Sequence, residues 1–388
     1  MAKTIRIGID TSKSVFQLHA VDEAEKPVLR KQLRRSQMLE FFSKLEPTKI
    51  GLEACGASHY WARELARAGH QPVLLPPQYV KAYVKRNKND SADAEAICEA
   101  MSRPTMRFVP VKTTEQQAAL MLVGTREALI RRRTQLSNSI RGYAAEFGLV
   151  AAKGLDKIEP LLARIAADTA LPSLAKEMFA TLGKEYERLK ADIGQIDAKQ
   201  MAWHKGNECS RRLVKVPAIG PITASVMVMK VPDPGAFGSG RDFSAWIGLT
   251  PKDHSTAGKK RLGVITRAGD DYLRSLLVAG ATSVIKQVLA GKRQPSPWLA
   301  ALLGRKPVKL AAVALANKNA RVAWKLMISG EHYDPSRYHA GEAAELGARE
   351  VRAPALCTGS GSRTSLERHG KSLGQRSKSP AKTTMANA

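Results

Sequence analysis

The sequence predicts an α/β domain at its N-terminus, followed by structure that is almost entirely helical. In IRIGIDTSK, residues 5–13, three isoleucines alternate with other residues at the period of a β-strand. Short apolar runs then alternate with segments of helical spacing as far as about residue 110, which is the order of an α/β fold. Beyond residue 114, two long stretches carry helical spacing. We therefore expect an N-terminal sheet with packed helices and an all-α remainder.

The order of the N-terminal elements narrows the fold. VFQLHAV, residues 15–21, alternates as a second strand, so Thr11–Ser14 is predicted to be a hairpin turn. The other elements predicted here are strands at 28–33, 49–53 and 71–75 and helices at 37–45, 59–68, after Pro77 and at 90–101. Three early strands, followed by strands that alternate with helices, are typical of a ribonuclease-H-like fold, although other α/β folds share parts of this order.

The middle of the chain predicts two long helices, from Thr114 to about Leu149 and from Leu171 to about His204. Together they suggest an antiparallel pair that serves as a spacer or as a coiled coil for assembly. Arg126 and the run Arg131–Arg133 lie on the first helix. These charges either contact phosphate or form a solvated face.

The third region opens with VKVPAIGPITASVMVMKV, residues 214–231, a tight turn followed by an apolar helix. It resembles a helix-hairpin-helix, whose backbone amides hold a DNA phosphate, but a plain turn and core helix fits equally well. Residues 250–266 are polar, basic and contain glycine, which predicts an exposed loop or hairpin. Amphipathic helices follow at 270–289 and 306–328, and residues 359–388 have the composition of a disordered tail.

The charge indicates the class of partner. Of 388 residues, 62 are Lys or Arg and 35 are Asp or Glu, which gives a formal charge of +27 spread over most of the chain. This predicts salt-sensitive binding to DNA or RNA; the alternative is a basic protein without such a partner. The four cysteines form no C-x-x-C pair, which argues against a zinc ribbon or a disulfide framework. Without a signal peptide or a membrane-length apolar run, we expect a cytoplasmic protein.

Four carboxylates come from three distant segments. Asp10 ends the first strand, Glu53 ends KIGLE, and Asp90 and Asp93 share one face of a predicted helix. In the predicted fold these segments meet at one edge of the sheet, where the acids would repel one another unless cations lay between them. Two Mg²⁺ ions in such a cluster support phosphodiester chemistry. The structural alternatives are a turn at Asp10, a helix cap at Asp90 and an ordinary first helical turn at Asp93.

Four motifs, in register along the chain, resemble one family. GIDTSK, GLEACGASHYW, KNDSADAEAI and GLTPKDHSTAGKKRLGVITRAGDDYLRSLL are similar to the DEDD transposases of the insertion-sequence one-ten family. The pattern HS-x-x-GK-x-RLG is most similar to its eleven-eleven branch, and Piv-type DNA invertases are similar too. The resemblance extends over about residues 5–330. It implies a RuvC-like DEDD catalytic domain at 1–110, a helical coiled-coil or assembly region at 111–206 and a C-terminal transposase domain with a serine loop at 207–330. The basic, disordered tail at 331–388 lies largely outside it.

The resemblance implies roles for particular residues. Asp10, Glu53, Asp90 and Asp93 match the metal-binding DEDD set one for one, with two Mg²⁺ ions, or Mn²⁺, as the expected cofactor. Ser255 matches a serine nucleophile that attacks a DNA phosphodiester and forms a transient phosphoserine link. From the residues alone, a serine in a Gly- and Lys-rich loop is ordinarily just a loop residue.

Several neighbours bear on the serine and its phosphate. Thr256 offers a competing hydroxyl, and His254 is either a general base or a structural histidine. At Ala218 relatives usually have glycine, and alanine disfavours the left-handed backbone that glycine allows. The residues predicted to bind nucleic acid are all basic: Lys13, Lys85, Arg86, Lys88, Lys259, Lys260 and Arg261.

The family also implies partners. Its members recombine donor and target DNA with a structured non-coding bridge RNA as guide, and they assemble as dimers and tetramers, with the acids of one subunit facing the serine of another. A bacterial, nucleoid-associated location follows from this. Two other hypotheses stay open. One is a metal-only, Holliday-junction-resolving nuclease whose C-terminal domain merely binds DNA. The other is a non-catalytic protein that packages RNA or DNA.

Overall fold

A five-stranded sheet forms the first part of the chain. The computed structural model describes residues 4–84, 90–259 and 261–336, without the side chains of residues 90 and 91. The strands are β1 (Arg6–Thr11), β2 (Val15–Val21), β3 (Pro27–Arg34), β4 (Lys49–Glu53) and β5 (Gln71–Leu75). Their order is β3-β2-β1-β4-β5, with β1-β2 and β2-β3 antiparallel and β1-β4 and β4-β5 parallel. The five predicted strands are confirmed.

Helices pack on both faces of this sheet: α1 (Met38–Ser43), α2 (Ser58–Arg67), α3 (Pro77–Val80) and α4 (Asp90–Ala100). On one face Ile7 and Ile9 of β1 pack with Phe42 and Trp61. On the other face Ile97 of α4 belongs to a second buried cluster. Because both faces are covered, residues 6–9 of β1 are all buried.

The predicted basic helix after Pro77 is shorter than expected where it is described. α3 passes into a 3-10 turn at Lys81–Tyr83, and Lys85 and Arg86 lie outside the described residues.

Two long helices follow, α5 (Thr114–Glu146) and α7 (Ser173–Gly206), with a shorter α6 (Ile158–Ala167) between them. Arg126 bonds to Asp197 near one end of the pair, and the rings of Phe147 and Phe179 lie 6.2 Å apart near the other, so α5 and α7 run antiparallel as predicted. α6 was not predicted. We call α5 and α7 the helical pair.

One predicted surface charge of the helical pair is buried. The Arg126 guanidinium is buried between Asp197 Oδ1, at 2.5 Å, and the Tyr272 hydroxyl, at 2.8 Å. It therefore neither contacts phosphate nor forms part of a solvated face, and both readings of Arg126 were wrong. Arg131 and Arg132 of the same run are exposed.

The last described part is mostly helical. Its helices are α8 (Glu208–Leu213), α9 (Pro221–Lys230), α10 (Gly240–Trp246), α11 (Asp271–Leu289), α12 (Pro297–Leu303) and α13 (Val308–Ser329). A two-stranded hairpin, β6 (Pro251–Asp253) and β7 (Leu262–Ile265), interrupts them. The two predicted amphipathic helices are confirmed as α11 and α13, while α12 was not predicted. Val123 of α5 belongs to the same core as these helices, so the helical pair packs into it.

Two further expectations concerned membrane-spanning helices and the C-terminal tail. Within the described ranges no helix is both long and apolar enough to cross a membrane. Of the predicted basic, disordered tail at 331–388, residues 337–388 lie outside the described residues.

Candidate active site

Asp10 and Glu53 occupy neighbouring positions at the ends of two parallel strands. β1 and β4 pair in a register that sets Ile9 beside Leu52. Asp10 and Glu53 are the next residues of the two strands, and both are half-buried. The two carboxylates that the sequence placed at strand ends are therefore brought to one end of the sheet.

Two glycines show which face of the sheet these acids share. A Cβ added at Gly8 would lie 2.3 Å from Ala94 O and 2.5 Å from Cys98 N, so α4 crosses directly over β1 there. A Cβ at Gly51 would lie 2.8 Å from Met101 Sδ. Because side chains alternate along a strand, Asp10 follows Gly8 and Glu53 follows Gly51 on the face that α4 covers.

The direction of α4 brings the remaining acids to the same end. Arg6 Nε donates to Cys98 O at 3.0 Å, whereas Gly8, farther along β1, lies beneath Ala94. α4 therefore runs antiparallel to β1, and its first turn, with Asp90 and Asp93, approaches the level of Asp10. From Arg6 to Asp10 the strand advances four residues, and from Cys98 back to Asp90 the helix advances eight. Both lengths are about 12–13 Å, so the start of α4 comes to the level of Asp10.

These acids share one end of the sheet without forming a complete ligand set by themselves. Among the side chains that the structure describes, no three acid, histidine or cysteine groups are placed to hold one ion. Asp93 is half-buried, and the Asp90 side chain is outside that description. The arrangement gathers hard oxygen donors of the kind that divalent cations take.

The loop after Glu53 adds a contact that sequence reasoning missed. Thr11 Oγ1 and Cys55 Sγ lie 3.3 Å apart, and the Cys55 amide donates to Glu53 O at 2.8 Å. These contacts join the end of β1 to the end of β4. Also missed was the spacing in GID and GLE, where a glycine stands two residues before each acid and admits the covering helix.

Ser255 lies on the hairpin formed by β6 and β7, which we call the serine hairpin. At its tip Thr256 and Lys259 pair, and the Lys259 amide donates to Thr256 O at 3.0 Å. Ala257 and Gly258 have φ of 49° and 78°, the pair of positive values that a type I′ turn requires. The predicted exposed loop or hairpin is thus a hairpin with a tight turn.

The Ser255 hydroxyl is exposed and held by backbone. The Arg261 amide donates to Ser255 Oγ at 2.9 Å, and the Ser255 amide donates to Asp253 Oδ1 at 2.9 Å. A hydroxyl that accepts an N–H bond keeps its own proton available to another acceptor. An N–H donor also stabilises negative charge on that oxygen.

His254 is anchored differently from Ser255. Its amide donates to Arg261 O at 2.8 Å, and its ring lies against the opposite strand, with Nε2 3.4 Å from the place of a Cβ at Gly263. The ring thus lies beside the backbone of β7 and is exposed to solvent. Its predicted role as a base stays a prediction, as does the competing hydroxyl of Thr256.

The predicted nucleic-acid contacts are exposed wherever the structure describes them. Lys13 lies in the turn between β1 and β2, and Lys259 and Arg261 flank the tip of the serine hairpin. The others, Lys85, Arg86, Lys88 and Lys260, lie outside the described residues.

The turn before α9 adopts the left-handed conformation despite its alanine. Ala218 has φ of 71°, and Asn319 Nδ2 donates to Pro217 O at 2.7 Å. A Cβ at Gly280 would lie 2.0 Å from Ala218 O, so α11 packs directly on the turn. The expectation that alanine would resist this conformation is corrected, because tertiary contacts hold it there.

Two family models match the chain. A DEDD-type transposase model matches residues 7–147, and a model described as Transposase IS116/IS110/IS902 family matches residues 210–294. A Sinorhizobium fredii protein named "Putative transposase y4pF/y4sB" is 65% identical over 330 residues, 85% of each chain. The "Probable family 20 transposase" of Pseudomonas aeruginosa is 46% identical over 333 residues, 85% of this chain and 98% of the relative. The transposase for insertion sequence element IS1111A of Coxiella burnetii is 39% identical over 335 residues, 85% of this chain and 92% of the relative.

Proposed function

Because the chain belongs to the IS116/IS110/IS902 family of transposases, which cleave and rejoin DNA, we propose that its acidic centre and its serine hairpin act on the same phosphodiester. The acidic centre comprises Asp10, Glu53, Asp90 and Asp93, and Ser255 is the nucleophile. One observation carries the proposal: β1, β4 and α4 bring their acid-bearing ends to one edge of the sheet.

The donor set fits divalent ions, which DEDD transposases typically use. Carboxylate oxygens are the ligands that Mg²⁺ and Mn²⁺ take in proteins. Asp10 and Glu53 would hold such ions from the strand side, and Asp90 and Asp93 from the helix side. When bound, two Mg²⁺ ions would supply charge that stabilises the attacking and leaving oxygens.

Ser255 would supply the covalent step. A bond forms between Ser255 Oγ and phosphorus while a phosphorus bond to a deoxyribose oxygen breaks. The hydroxyl proton that Oγ gives up is balanced by the proton that the leaving oxygen takes up. In the rejoining step the DNA hydroxyl displaces Oγ, which then carries the developing charge. The Arg261 amide, 2.9 Å from Oγ, would stabilise that charge, and the exposed Lys259 would hold the phosphate.

The test is to trap and map a covalent protein–DNA adduct. Ser255→Ala should lower strand cleavage at least 100-fold and leave nucleic-acid binding within twofold of the wild type, while Thr256→Ala, the matched neighbouring hydroxyl, should keep cleavage. Asp10→Asn should also abolish cleavage. Cleavage by Ser255→Ala with loss in Asp10→Asn would reject the serine and support the metal-only nuclease. Binding without any Mg²⁺-dependent cutting, even in the wild type, would support the packaging protein.

We also propose that the enzyme holds donor DNA, target DNA and a structured bridge RNA at the bacterial nucleoid. The charge of +27 suits contacts to several phosphate backbones, with base pairing supplying the choice of sequence. Sequencing the RNA that co-purifies with the protein tests this. A single enriched RNA that restores strand transfer to nuclease-treated enzyme is expected, and unchanged strand transfer after nuclease treatment would exclude the guide.

An exposed apolar surface supports the proposal that the helical pair assembles copies of this chain as a coiled coil. Where α5 ends and α7 begins, Tyr143, Leu174 and Met178 are 58%, 66% and 51% exposed and line a cavity of about 600 Å³. Solvent-exposed apolar groups gathered in this way usually mark an interface. Leu174→Glu should shift the protein towards monomer in sedimentation equilibrium. Met121 of α5 is 73% exposed but does not line the cavity, and Met121→Glu should not cause this shift.

We also propose that the chain is divided into four regions. Residues 1–110 would form the acidic catalytic domain, 111–206 the assembly region, 207–330 the serine domain and 331–388 the tail. Limited proteolysis that releases fragments ending near residues 110 and 206 would support these limits, and cleavage inside the sheet would oppose them.

A further inference from the structure

One side chain connects the segment that enters the serine hairpin, before β6, with the segment that leaves it, after β7. We call these two segments the stems. Arg274, in the first turns of α11, donates from Nη1 to Ile247 O at 2.7 Å and to Ala268 O at 2.9 Å. Ile247 lies before β6 and Ala268 lies after β7. A single guanidinium nitrogen therefore bridges the chain entering the hairpin and the chain leaving it.

Two glycines make this junction tight. Gly248 has φ of +79°, and a Cβ there would lie 2.2 Å from Ala268 O and 2.8 Å from Arg274 Nη1. Gly269 has φ of +72°, and a Cβ there would lie 1.8 Å from Trp246 O. The stems thus pack backbone against backbone, and only glycine combines this close approach with a positive φ at both positions without a clash.

Backbone hydrogen bonds continue from this junction towards the serine. The Arg267 amide donates to Gly248 O at 3.2 Å, and the Thr266 amide donates to Thr250 O at 2.8 Å. Beyond them β6 and β7 pair and lead to Ser255. A ladder of bonds therefore connects Arg274 to the loop that carries the hydroxyl.

Arg274 is itself fixed. It is 7% exposed and pairs with Asp271 at the start of the same helix. Leu273, Leu277 and Ala281 of α11 are buried in the surrounding core, so the helix that presents the guanidinium cannot easily rotate. A buried guanidinium is costly unless its donors are satisfied, which these carbonyls and Asp271 achieve.

We propose that Arg274 is a positioning residue for the reaction: it holds the stems of the serine hairpin so that Ser255 is presented in one orientation. The inference rests on the proposed function, in which Ser255 is the nucleophile. Arg274 does not touch the reacting atoms. Its effect passes through the hairpin, where a displacement of the nucleophile by about 1 Å can cost on the order of 100-fold in rate.

The experiment compares Arg274→Gln and Arg274→Lys with the wild type and with Arg305→Gln, which removes an exposed arginine of the same region. Single-turnover strand cleavage should fall about 10- to 100-fold in Arg274→Gln. It should fall less in Arg274→Lys, because an ammonium reaches one carbonyl but lacks the planar fork. Nucleic-acid affinity should change less than twofold, and Arg305→Gln should cleave like the wild type.

Hydrogen exchange supplies a readout that a merely structural role would not give. In Arg274→Gln, exchange should accelerate over residues 248–268 and stay unchanged over 277–285 of α11. If Arg274→Gln does not fold, Arg274→Lys carries the same comparison. Cleavage within twofold of the wild type in the folded variant, or equal acceleration of exchange throughout α11, would overturn the proposal.

A Ser255→Ala sample in the same series separates the two ideas. If Ser255→Ala still cleaves, the proposed nucleophile is wrong, whatever Arg274 does. If Ser255→Ala is inactive while Arg274→Gln remains fully active, the nucleophile stands and only the positioning role fails.

Discussion

At the scale of single residues, Ala218 shows tertiary structure overriding local preference. The left-handed region costs a non-glycine residue about 1–2 kcal/mol, yet Ala218 occupies it at φ of 71°. Asn319 bonds to the preceding carbonyl and Gly280 admits the turn against α11. The sequence reveals the unusual alanine but not the contacts that hold it, because those partners lie about 60 and 100 residues away.

We expect Ala218→Gly to stabilise the protein by about 0.5–1 kcal/mol. The gain is the relief of the left-handed strain, reduced by the larger entropy of glycine in the unfolded chain. Urea unfolding would measure it as a higher midpoint with an unchanged slope. Gly280→Ala is the opposing variant, because its Cβ would meet Ala218 O at 2.0 Å, and it should be destabilising. A loss of stability in Ala218→Gly would contradict this account.

The pKa of His59 makes the stability of the folded protein depend on pH. Burial, together with the charges of Lys112 and Arg63, lowers the pKa of His59 to about 4. Its Nδ1 accepts from the Lys112 amide at 3.2 Å, and its Nε2 lies 3.1 Å from Lys112 Nζ. The folded state therefore holds the imidazole neutral over a range where the unfolded chain protonates it.

Stability should consequently fall as the pH is lowered from about 6.5 towards 4. The depressed pKa means that the unfolded state binds the proton first, so acid favours unfolding in this window. Because the ring is only partly buried, we expect about 1 kcal/mol rather than the full value of the shift. His59→Asn keeps an acceptor but does not titrate, and its unfolding free energy should lose less over this window. Identical pH profiles for the two proteins would exclude this role for His59.

At the scale of elements, the strands were predictable and the packing of α4 was not. The alternation along β1 and the short apolar run of β4 are local signals, and they placed Asp10 and Glu53 at strand ends. The direction in which α4 crosses the sheet depends on Gly8 and Gly51, which have no side chains to form a pattern. The helices α6 and α12, of 10 and 7 residues, were not predicted, although α2 has the same length as α6 and was.

The element-scale prediction is that Gly8→Ala displaces α4 and with it the acids of its first turn. An added Cβ would lie 2.3 Å from Ala94 O and 2.5 Å from Cys98 N, and both are backbone atoms that cannot move aside. We expect a destabilisation of about 2–3 kcal/mol and loss of metal-dependent cleavage. Thermal unfolding and a cleavage assay measure the two effects.

The control for Gly8→Ala is Gly124→Ala on α5, where nothing lies within 4 Å of the added Cβ. This change should stabilise the helix slightly, by up to about 1 kcal/mol, and leave cleavage unchanged. If Gly8→Ala were as stable and active as Gly124→Ala, the close crossing of α4 over β1 would be refuted.

At the scale of the whole molecule, the charge was readable from composition, but its distribution required the fold. Arg126 is a candidate for phosphate contact in the sequence, yet it is buried and bonded within the protein, as is Arg274. Lys13, Lys259 and Arg261 remain exposed. Only the second group is available to nucleic acid, and sequence position alone does not separate the two groups.

Binding to DNA should therefore weaken steeply as salt rises, and exposed lysines should set the slope. Lys259→Gln should reduce the slope of log affinity against log salt by about 1 and weaken binding to all sequences alike. Fluorescence anisotropy at several salt concentrations measures this. Lys286→Gln removes the same charge from the last turn of α11, outside the serine hairpin, and its slope is compared with that of Lys259→Gln. An unchanged slope in Lys259→Gln would remove this lysine from the phosphate contacts.

The bond from the Arg261 amide to Ser255 Oγ has an evolutionary corollary. The donor is a peptide N–H, so nineteen of the twenty amino acids at position 261 retain it. The side chain at this position is therefore free to change with the nucleic acid that each insertion sequence encounters. Proline alone lacks the hydrogen. Chains descended from this one can thus change the side chains around the tip of the hairpin and still keep the hydrogen bond to Ser255 Oγ.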